Sequence, residues 1–261
     1  MLDALAPQRR RLVLGVAGVV GLLVLALVAT LVARAVRPAP AVPQQLVGPV
    51  LLVPGYGGDG SSLQSLAAAL RAEGRTAVVA PRVGGGTGDL DTQAVALAAL
   101  ATQVRDEAGA PSVDVIGYSA GGVVARLWVR DHDGGAVARR VLTLGSPHHG
   151  TSQAALGAGL AGGCPRACEQ LVPGSDLLRR LNARDETPDG PAWVTLRSTG
   201  DQVVTPVDSA ALDGALNVVV QDLCPGARTS HSDLPDDPVT RALLRTALGS
   251  DAPTAPGSVA C

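Results

Sequence analysis

A serine between glycines, an aspartate and a late histidine follow one another along this chain in an order that suits nucleophilic chemistry. Ser119 lies in GYSAGG, Asp201 in STGDQVVTP and His231 in SHSDLPDDP. A serine hydroxyl becomes a strong nucleophile when a histidine takes its proton and a carboxylate orients that histidine. The three residue types therefore predict acyl transfer through a covalent serine intermediate.

The surroundings of Ser119 decide between a nucleophile turn and a chance glycine-rich motif. The chain holds 32 glycines in 261 residues, so the pattern G-x-S-x-G by itself is only a hypothesis. However, Val113–Ile116 predicts a strand just before the motif, and Ala120–Arg130 predicts a helix just after it. A strand, sharp turn and helix expose a serine hydroxyl above a sheet. Gly117 and Gly121 fit this turn, because side chains there would crowd the strand and the helix.

His231 is the histidine whose position suits a base. The expected chain order is serine, acid, histidine, and the other histidines, His132, His148 and His149, all precede the predicted acid. A lone histidine in a loop is ordinarily a solvated surface residue. The accompanying serine motif and acid favour the base instead.

Asp201 is the predicted acid because it follows the predicted strand Trp193–Leu196 directly. Asp208 and Asp213 lie further from the end of that strand, and Asp222 ends the next one. These three remain competitors, since the acid of such a triad can follow either strand.

Two backbone N–H groups are needed to stabilise the oxyanion of an acyl-transfer intermediate. Ala120, directly after the nucleophile, supplies one, and Tyr56, in the loop VPGYGGDG, is the candidate for the other. The same loop also matches the dinucleotide pattern G-x-G-x-x-G over residues 55–60. The next predicted strand runs into Pro81-Arg82-Val83 without the acidic residue that a dinucleotide site wants, which disfavours this alternative.

Short apolar strands alternate with helices along the chain, which predicts an α/β fold with a parallel sheet. The predicted strands are Val50–Val53, Thr76–Ala80, Val113–Ile116, Val141–Leu144, Trp193–Leu196 and Asn217–Val220. The predicted helices are Ser61–Ala72, Asp91–Ala108, Ala120–Arg130 and Pro238–Leu248.

The N-terminal segment predicts export of the domain. Arg9–Arg11 precede the uncharged run Leu12–Ala33, which as a helix would span about 33 Å, enough to cross a bilayer. The basic residues favour a cytoplasmic N-terminus, 1–11, and a transmembrane anchor at 12–36 with the domain outside the cell membrane. The alternative is a signal peptide cleaved near Ala33-Arg34-Ala35, which would make the protein secreted.

The rest of the chain is divided by composition. Residues 37–46 hold three prolines and predict a stiff linker, 47–249 form the α/β domain, and 250–261 form a C-terminal tail. The glycine- and proline-rich segment 152–190 interrupts the alternation of strands and helices. It is either an insertion that acts as a lid or acyl-chain groove, or a plain surface loop.

Four cysteines, Cys164, Cys168, Cys224 and Cys261, all lie in the predicted exported part. An even number outside the cytosol suggests two disulfides, with three possible pairings. We favour Cys164–Cys168 and Cys224–Cys261. The spacing does not suit zinc, so no metal site is predicted. A net charge of −2 does not indicate a basic surface that would bind nucleic acid. We expect a monomer.

Five segments of the chain together resemble the bacterial extracellular lipases and esterases of the α/β-hydrolase fold. They are PGYGG, GYSAGG, LGSPHHGT, STGDQVV and the His231 loop. The resemblance covers roughly residues 47–249. It implies a mostly parallel central sheet with helices on both faces, an ester or lipid substrate and no cofactor. Site residues implied are the nucleophile Ser119, acid Asp201, base His231, oxyanion donors Tyr56 and Ala120, and the neighbours Gly55, Gly117, Tyr118, Gly121, His148 and His149.

Two departures from that family concern the oxyanion loop and the N-terminus. Many lipases have His-Gly where this chain has Pro54-Gly55, and most are secreted, whereas this chain is predicted to be tethered. The same triad also serves acyltransferases, thioesterases and amidases. An alternative of a different class is a catalytically inactive hydrolase fold used for binding, which would have no need of all three triad residues.

Overall fold

The computed structural model of the chain describes residues 7–35 and 42–261. The chain divides into two units, Met1–Pro40 and Ala41–Cys261. The described residues of the first unit form helix α1, Pro7–Ala35. Within the described residues, no helix combines the length and apolar character required to cross a membrane, so the structure does not support the predicted anchor. The predicted N-terminus and linker fall partly on residues 1–6 and 36–41, which lie outside the described residues.

The second unit is built on a parallel sheet. Within the described residues the sheet has six strands in the order β2-β1-β3-β4-β5-β6, and every neighbouring pair is parallel. The strands are β1 Val50–Val53, β2 Ala77–Val79, β3 Val113–Tyr118, β4 Ala138–Leu144, β5 Ala192–Arg197 and β6 Leu216–Val219. The helices are α2 Gln64–Ala72, α3 Leu90–Ala108, α4 Ala120–Asp131, α5 Ser152–Gly159, α6 Arg166–Gln170, α7 Asp176–Leu181, α8 Val220–Leu223 and α9 Pro238–Ala247.

Helices cover both faces of this sheet, as predicted. Successive strand residues point to opposite faces, so each strand supplies two separate apolar cores. Leu51 and Val115 pack with α3, α4 and the helices of residues 152–181. Val50 and Ile116 pack on the other face with α2 and α9. The central strands β1 and β3 are mostly apolar because both of their faces are buried.

The predicted insertion 152–190 contributes to the core. Ala154, Ala167 and Leu178, one from each of its three helices, are buried in the same cluster as α3 and α4. Its disulfide Cys164–Cys168 is formed, with 5.8 Å between the Cα atoms. At least these helices are therefore part of the folded body of the domain, since their apolar faces are removed from water.

Residues on either side of the predicted domain boundaries pack against the domain. Arg139 is fully buried, and its guanidinium donates to the carbonyls of Gln44 at 3.0 Å and Leu248 at 2.8 Å. Arg140 donates to the carbonyl of Asp251 at 2.8 Å, and the Cys224–Cys261 disulfide ties down the end of the chain. Gln44 and Asp251 are thus bonded to β4, and Cys261 is bonded to the end of α8, so parts of the predicted stiff linker and of the predicted tail contact the domain.

Candidate active site

Ser119 lies on a sharp turn between β3 and α4. Its backbone has φ 53° and ψ −127°, a conformation that side-chain-bearing residues rarely adopt. The Ser119 N–H donates to the Leu144 carbonyl at 2.9 Å, and the Gly122 N–H donates to the Ser119 carbonyl at 3.0 Å. Strain of this kind persists only where the surroundings enforce it, and it is concentrated at functional sites.

Close backbone approach explains the glycines around this serine. A Cβ on Gly117 would lie 2.5 Å from Gly122 Cα, and a Cβ on Gly121 would lie 2.2 Å from the Val53 carbonyl oxygen. Gly122, which was not among the predicted site residues, is also closely packed, because its Cβ would lie 2.1 Å from the side-chain oxygen Ser146 Oγ. The predicted roles of Gly117 and Gly121 thus correspond to real contacts with α4 and β1.

Asp201 and His231 form a hydrogen-bonded pair at the same edge of the sheet. Asp201 Oδ2 lies 2.7 Å from His231 Nδ1, and the two residues are only 5% and 8% exposed. The other carboxylate oxygen, Oδ1, accepts the N–H groups of Val203 at 2.8 Å and Val204 at 2.9 Å. Since Asp201 is fixed by two backbone donors, it holds the imidazole ring in one orientation.

The His231 side is further fixed by Tyr118, the last residue of β3. The two rings lie 5.1 Å apart, and the Tyr118 hydroxyl donates to the His231 carbonyl at 3.2 Å. Burial, together with the charges of Asp201 and Asp233, raises the pKa of Tyr118 to about 12. Tyr118 therefore stays protonated and neutral at physiological pH and positions the histidine through its hydroxyl.

Gly145, at the end of β4, is a site residue whose role the sequence interpretation missed. Its φ is +55°, and a Cβ there would lie 3.1 Å from Asp201 Oδ2 and 3.2 Å from His231 Nδ1. The same Cβ would lie 2.6 Å from the Leu234 side chain. The sequence does show a glycine directly after a predicted strand, in LGSPHHGT. It does not show that this glycine contacts Asp201 and His231, because that contact exists only in the folded chain.

The loop after β1 lies against Ser119. A Cβ on Gly55 would be 2.9 Å from Ser119 Cβ, so the two backbones are in close contact. The Gly58 N–H donates to the Gly55 carbonyl at 3.1 Å, which closes a β-turn with Tyr56 at its second position. Within the described part of the chain, the N–H groups of Tyr56 and Ala120 donate to no protein acceptor. Both remain available to a ligand.

The two histidines predicted as neighbours of the site have structural contacts. His148 is fully buried with Nε2 3.0 Å from Thr143 Oγ1. Burial, and then the charges of Arg126 and His149, holds the pKa of His148 well below its usual value, so the ring is neutral. His149 is half exposed and pairs with Glu186 at 2.7 Å.

The competing aspartates do not meet His231. Asp208 pairs with Arg197 at 3.2 Å and is 81% exposed. The Asp213 N–H donates to Glu186 at 2.8 Å, and its carbonyl accepts the Thr187 hydroxyl. Asp222 is exposed on α8. Asp201 is the carboxylate that the structure brings to the histidine.

A parallel sheet with helices on both faces and a strained serine turn after a central strand define an α/β-hydrolase. The chain belongs to the palmitoyl protein thioesterase family, whose family model matches residues 49–182, just over half of the chain. No curated protein sequence matches it.

Solved structures show the same fold. Lipase B of Aspergillus fumigatus has a TM-score of 0.70 at 22% identity, covering 80% of this chain and 54% of that protein. This chain therefore spans about half the length of lipase B. The mature form of Bacillus licheniformis lipase BlEst2 has a TM-score of 0.64 at 19% identity, covering 82% of this chain and 96% of that one. The putative cell surface hydrolase of Lactobacillus plantarum WCFS1 has a TM-score of 0.52 at 19% identity, covering 77% and 91%.

Replacing Gly145 by alanine is expected to disrupt the Asp201–His231 hydrogen bond, because the new methyl group meets both side chains. We expect the free energy of unfolding to fall by about 2–3 kcal/mol. The His231 Nδ1–H signal in proton NMR is expected to disappear. The control is Gly174→Ala, since Gly174 also has a positive φ, +74°, but its Cβ would meet nothing within 4 Å. An unchanged N–H signal in Gly145→Ala would contradict the assigned contact.

Proposed function

We propose that this protein is a serine hydrolase that cleaves acyl esters through a covalent acyl-enzyme. Ser119 is the nucleophile, His231 the general base and Asp201 the orienting acid, with the Tyr56 and Ala120 N–H groups as the oxyanion hole. The observation that carries the proposal is the buried Asp201–His231 pair, whose histidine contacts Tyr118, the residue directly before the strained Ser119. A domain used only for binding has no need of either feature.

In the first step Ser119 Oγ attacks the acyl carbonyl and His231 takes the hydroxyl proton. Asp201 accepts the Nδ1–H of the ring at 2.7 Å, so the neutral tautomer leaves Nε2 unprotonated to receive that proton. Among the described residues, the ring's hydrogen bond is the one from Nδ1, which leaves Nε2 free. The Asp201 carboxylate then stabilises the imidazolium that forms.

Negative charge on the acyl oxygen develops next to α4. The Ala120 N–H is at the first position of that helix. Backbone donors there have no partner within the helix, and the positive end of the helix dipole lies there. The Tyr56 N–H lies on the turn that touches Ser119 through Gly55. Fixed donors of this kind stabilise the tetrahedral oxyanion more than the planar carbonyl of the substrate.

The second half of the reaction uses the same groups. His231 gives its proton to the leaving oxygen or sulfur, and a water then attacks the acyl-enzyme while His231 acts again as the base. His231 then gives the proton taken from water to Ser119 Oγ as the acyl–oxygen bond breaks, which releases the carboxylic acid and restores the free enzyme. No metal or organic cofactor takes part in this chemistry.

A thioester substrate is the second candidate, because the family that includes this chain is named for palmitoyl protein thioesterases. The triad serves both bonds, since they share the acyl carbonyl and differ in the leaving atom. We also propose that the domain works outside the cytosol, which its two disulfides support.

Ser119→Ala is expected to abolish hydrolysis of p-nitrophenyl esters and of acyl thioesters of matched chain length. The expected loss in kcat is on the order of 10⁶-fold, as for the serine nucleophile of a protease triad. Steady-state assays over acyl chains of increasing length would measure it, with exposed Ser62→Ala as the control. Comparing kcat/KM for the oxoester and thioester of one acyl chain assigns the leaving group. Equal rates in wild type and Ser119→Ala would refute the proposal.

Asp201→Asn is expected to lower kcat by about 10⁴-fold with little change in the fold. The amide oxygen can still accept from Val203 and Val204, so the amide NH₂ would face His231 Nδ1. Nδ1 must then act as acceptor, and the ring proton moves to Nε2, the position that should receive the proton of Ser119. Exposed Asp222→Asn is the matched control, and a loss of less than about tenfold in Asp201→Asn would argue against the assigned role.

A further inference from the structure

A second glycine-rich turn, GGGTG at residues 84–88, packs against the turn that carries Tyr56. The Gly57 N–H donates to the Gly86 carbonyl at 2.8 Å. A Cβ on Gly86 would lie 3.2 Å from the N, Cα and C atoms of Gly57. The two backbones therefore touch directly, at the residue that follows the proposed oxyanion donor.

Backbone contacts hold the Tyr56 turn at three points. Gly55 is packed against Ser119, the Gly58 N–H closes the turn on the Gly55 carbonyl, and Gly57 is bonded to Gly86. The side chain of Tyr56 is 42% exposed and has no comparable burial. Gly86 lies in a different segment from the Tyr56 turn and Ser119, so its hydrogen bond with Gly57 holds the Tyr56 turn from outside the turn itself.

The turn at residues 84–88 is itself fixed by the helix that carries Cys168. Its Thr87 carbonyl accepts the Ala167 N–H at 3.1 Å. The buried side chain of Gln170 accepts the Leu90 N–H at 2.8 Å and donates to Asp89 at 2.7 Å. These contacts join α6 and the start of α3 to the turn and limit its movement.

We propose that Gly86 is a positioning residue for the oxyanion hole, and that the turn at residues 84–88, anchored by Gln170, sets the placement of the Tyr56 N–H. This inference rests on the proposed function, because the role of Tyr56 is part of it. Gly86 contacts neither substrate nor Ser119 and acts through Gly57. Replacing Gly86 should therefore lower kcat and leave KM nearly unchanged, because the oxyanion develops in the transition state and is absent from the bound substrate.

Gly86→Ala and Gly84→Ala make a matched pair of variants. Both glycines have a positive φ, +74° and +58°, so alanine introduces similar backbone strain at each. A Cβ on Gly84 would meet nothing within 4 Å, whereas a Cβ on Gly86 pushes on Gly57. Only the second variant should displace the Tyr56 N–H.

The expected result for Gly86→Ala is a fall in kcat of roughly 30–100-fold on a p-nitrophenyl ester, with KM changed by less than about twofold. The inhibition constant of a trifluoromethyl ketone, which forms an oxyanion on Ser119, should rise by a similar factor. Gly84→Ala should stay within about twofold of wild type in all three quantities. Thermal unfolding checks that both variants are folded at the assay temperature.

Gln170→Met keeps the proposal testable if Gly86→Ala does not fold. This change removes both hydrogen bonds of the side chain at nearly constant volume, and we expect a fall in kcat of about 5-fold with KM unchanged. Equal losses in Gly84→Ala and Gly86→Ala, a loss confined to KM, or a folded Gln170→Met with wild-type kcat would overturn the proposal. Failure of the function itself looks different, because wild type would then be as inactive as Ser119→Ala.

Discussion

The backbone strain at Ser119 is the constraint on which the rest of the site depends. A residue with a side chain is held at φ 53° because β3, α4 and β1 converge on it with almost no space between them. Gly117, Gly121 and Gly122 allow that convergence. The Leu144 carbonyl fixes the turn from β4 through its hydrogen bond with the Ser119 N–H. The serine therefore keeps its place at the edge of the sheet by contacts that no single neighbour provides.

The parallel sheet brings the other groups to the same edge. Since all strands run in one direction, the segments that follow them emerge together. The Tyr56 turn follows β1, Gly145 follows β4 and Asp201 follows β5, while His231 lies beyond β6. Gly145 leaves room for the acid–histidine pair, and Tyr118 holds the histidine backbone. The segments that follow β1, β3, β4, β5 and β6 thus contribute separate parts of a site that no local sequence segment contains.

The strands were predictable from the sequence because each one is a short apolar run, which is a local feature of the chain. The bounds of β1 agree with the prediction, and the six strands predicted from apolar runs are the strands of the described sheet. β4 begins three residues earlier than predicted, because the strand includes two charged residues that are buried: Arg139, bonded to Asp114, and Arg140, bonded to the Asp251 carbonyl. The positions of Gly145 and Gly86 were not predictable, because their importance comes from segments distant in sequence.

Mass spectrometry of the protein after reaction with a fluorophosphonate would show whether Ser119 is an activated nucleophile, since the probe reacts with a serine only where a base and an oxyanion hole activate it. We expect one adduct, mapped by peptide sequencing to Ser119. Labelling should be much slower when Asp201 is replaced by asparagine. An unlabelled protein, or an adduct on another serine with Ser119 unmodified, would contradict the assignment of Ser119 as an activated nucleophile.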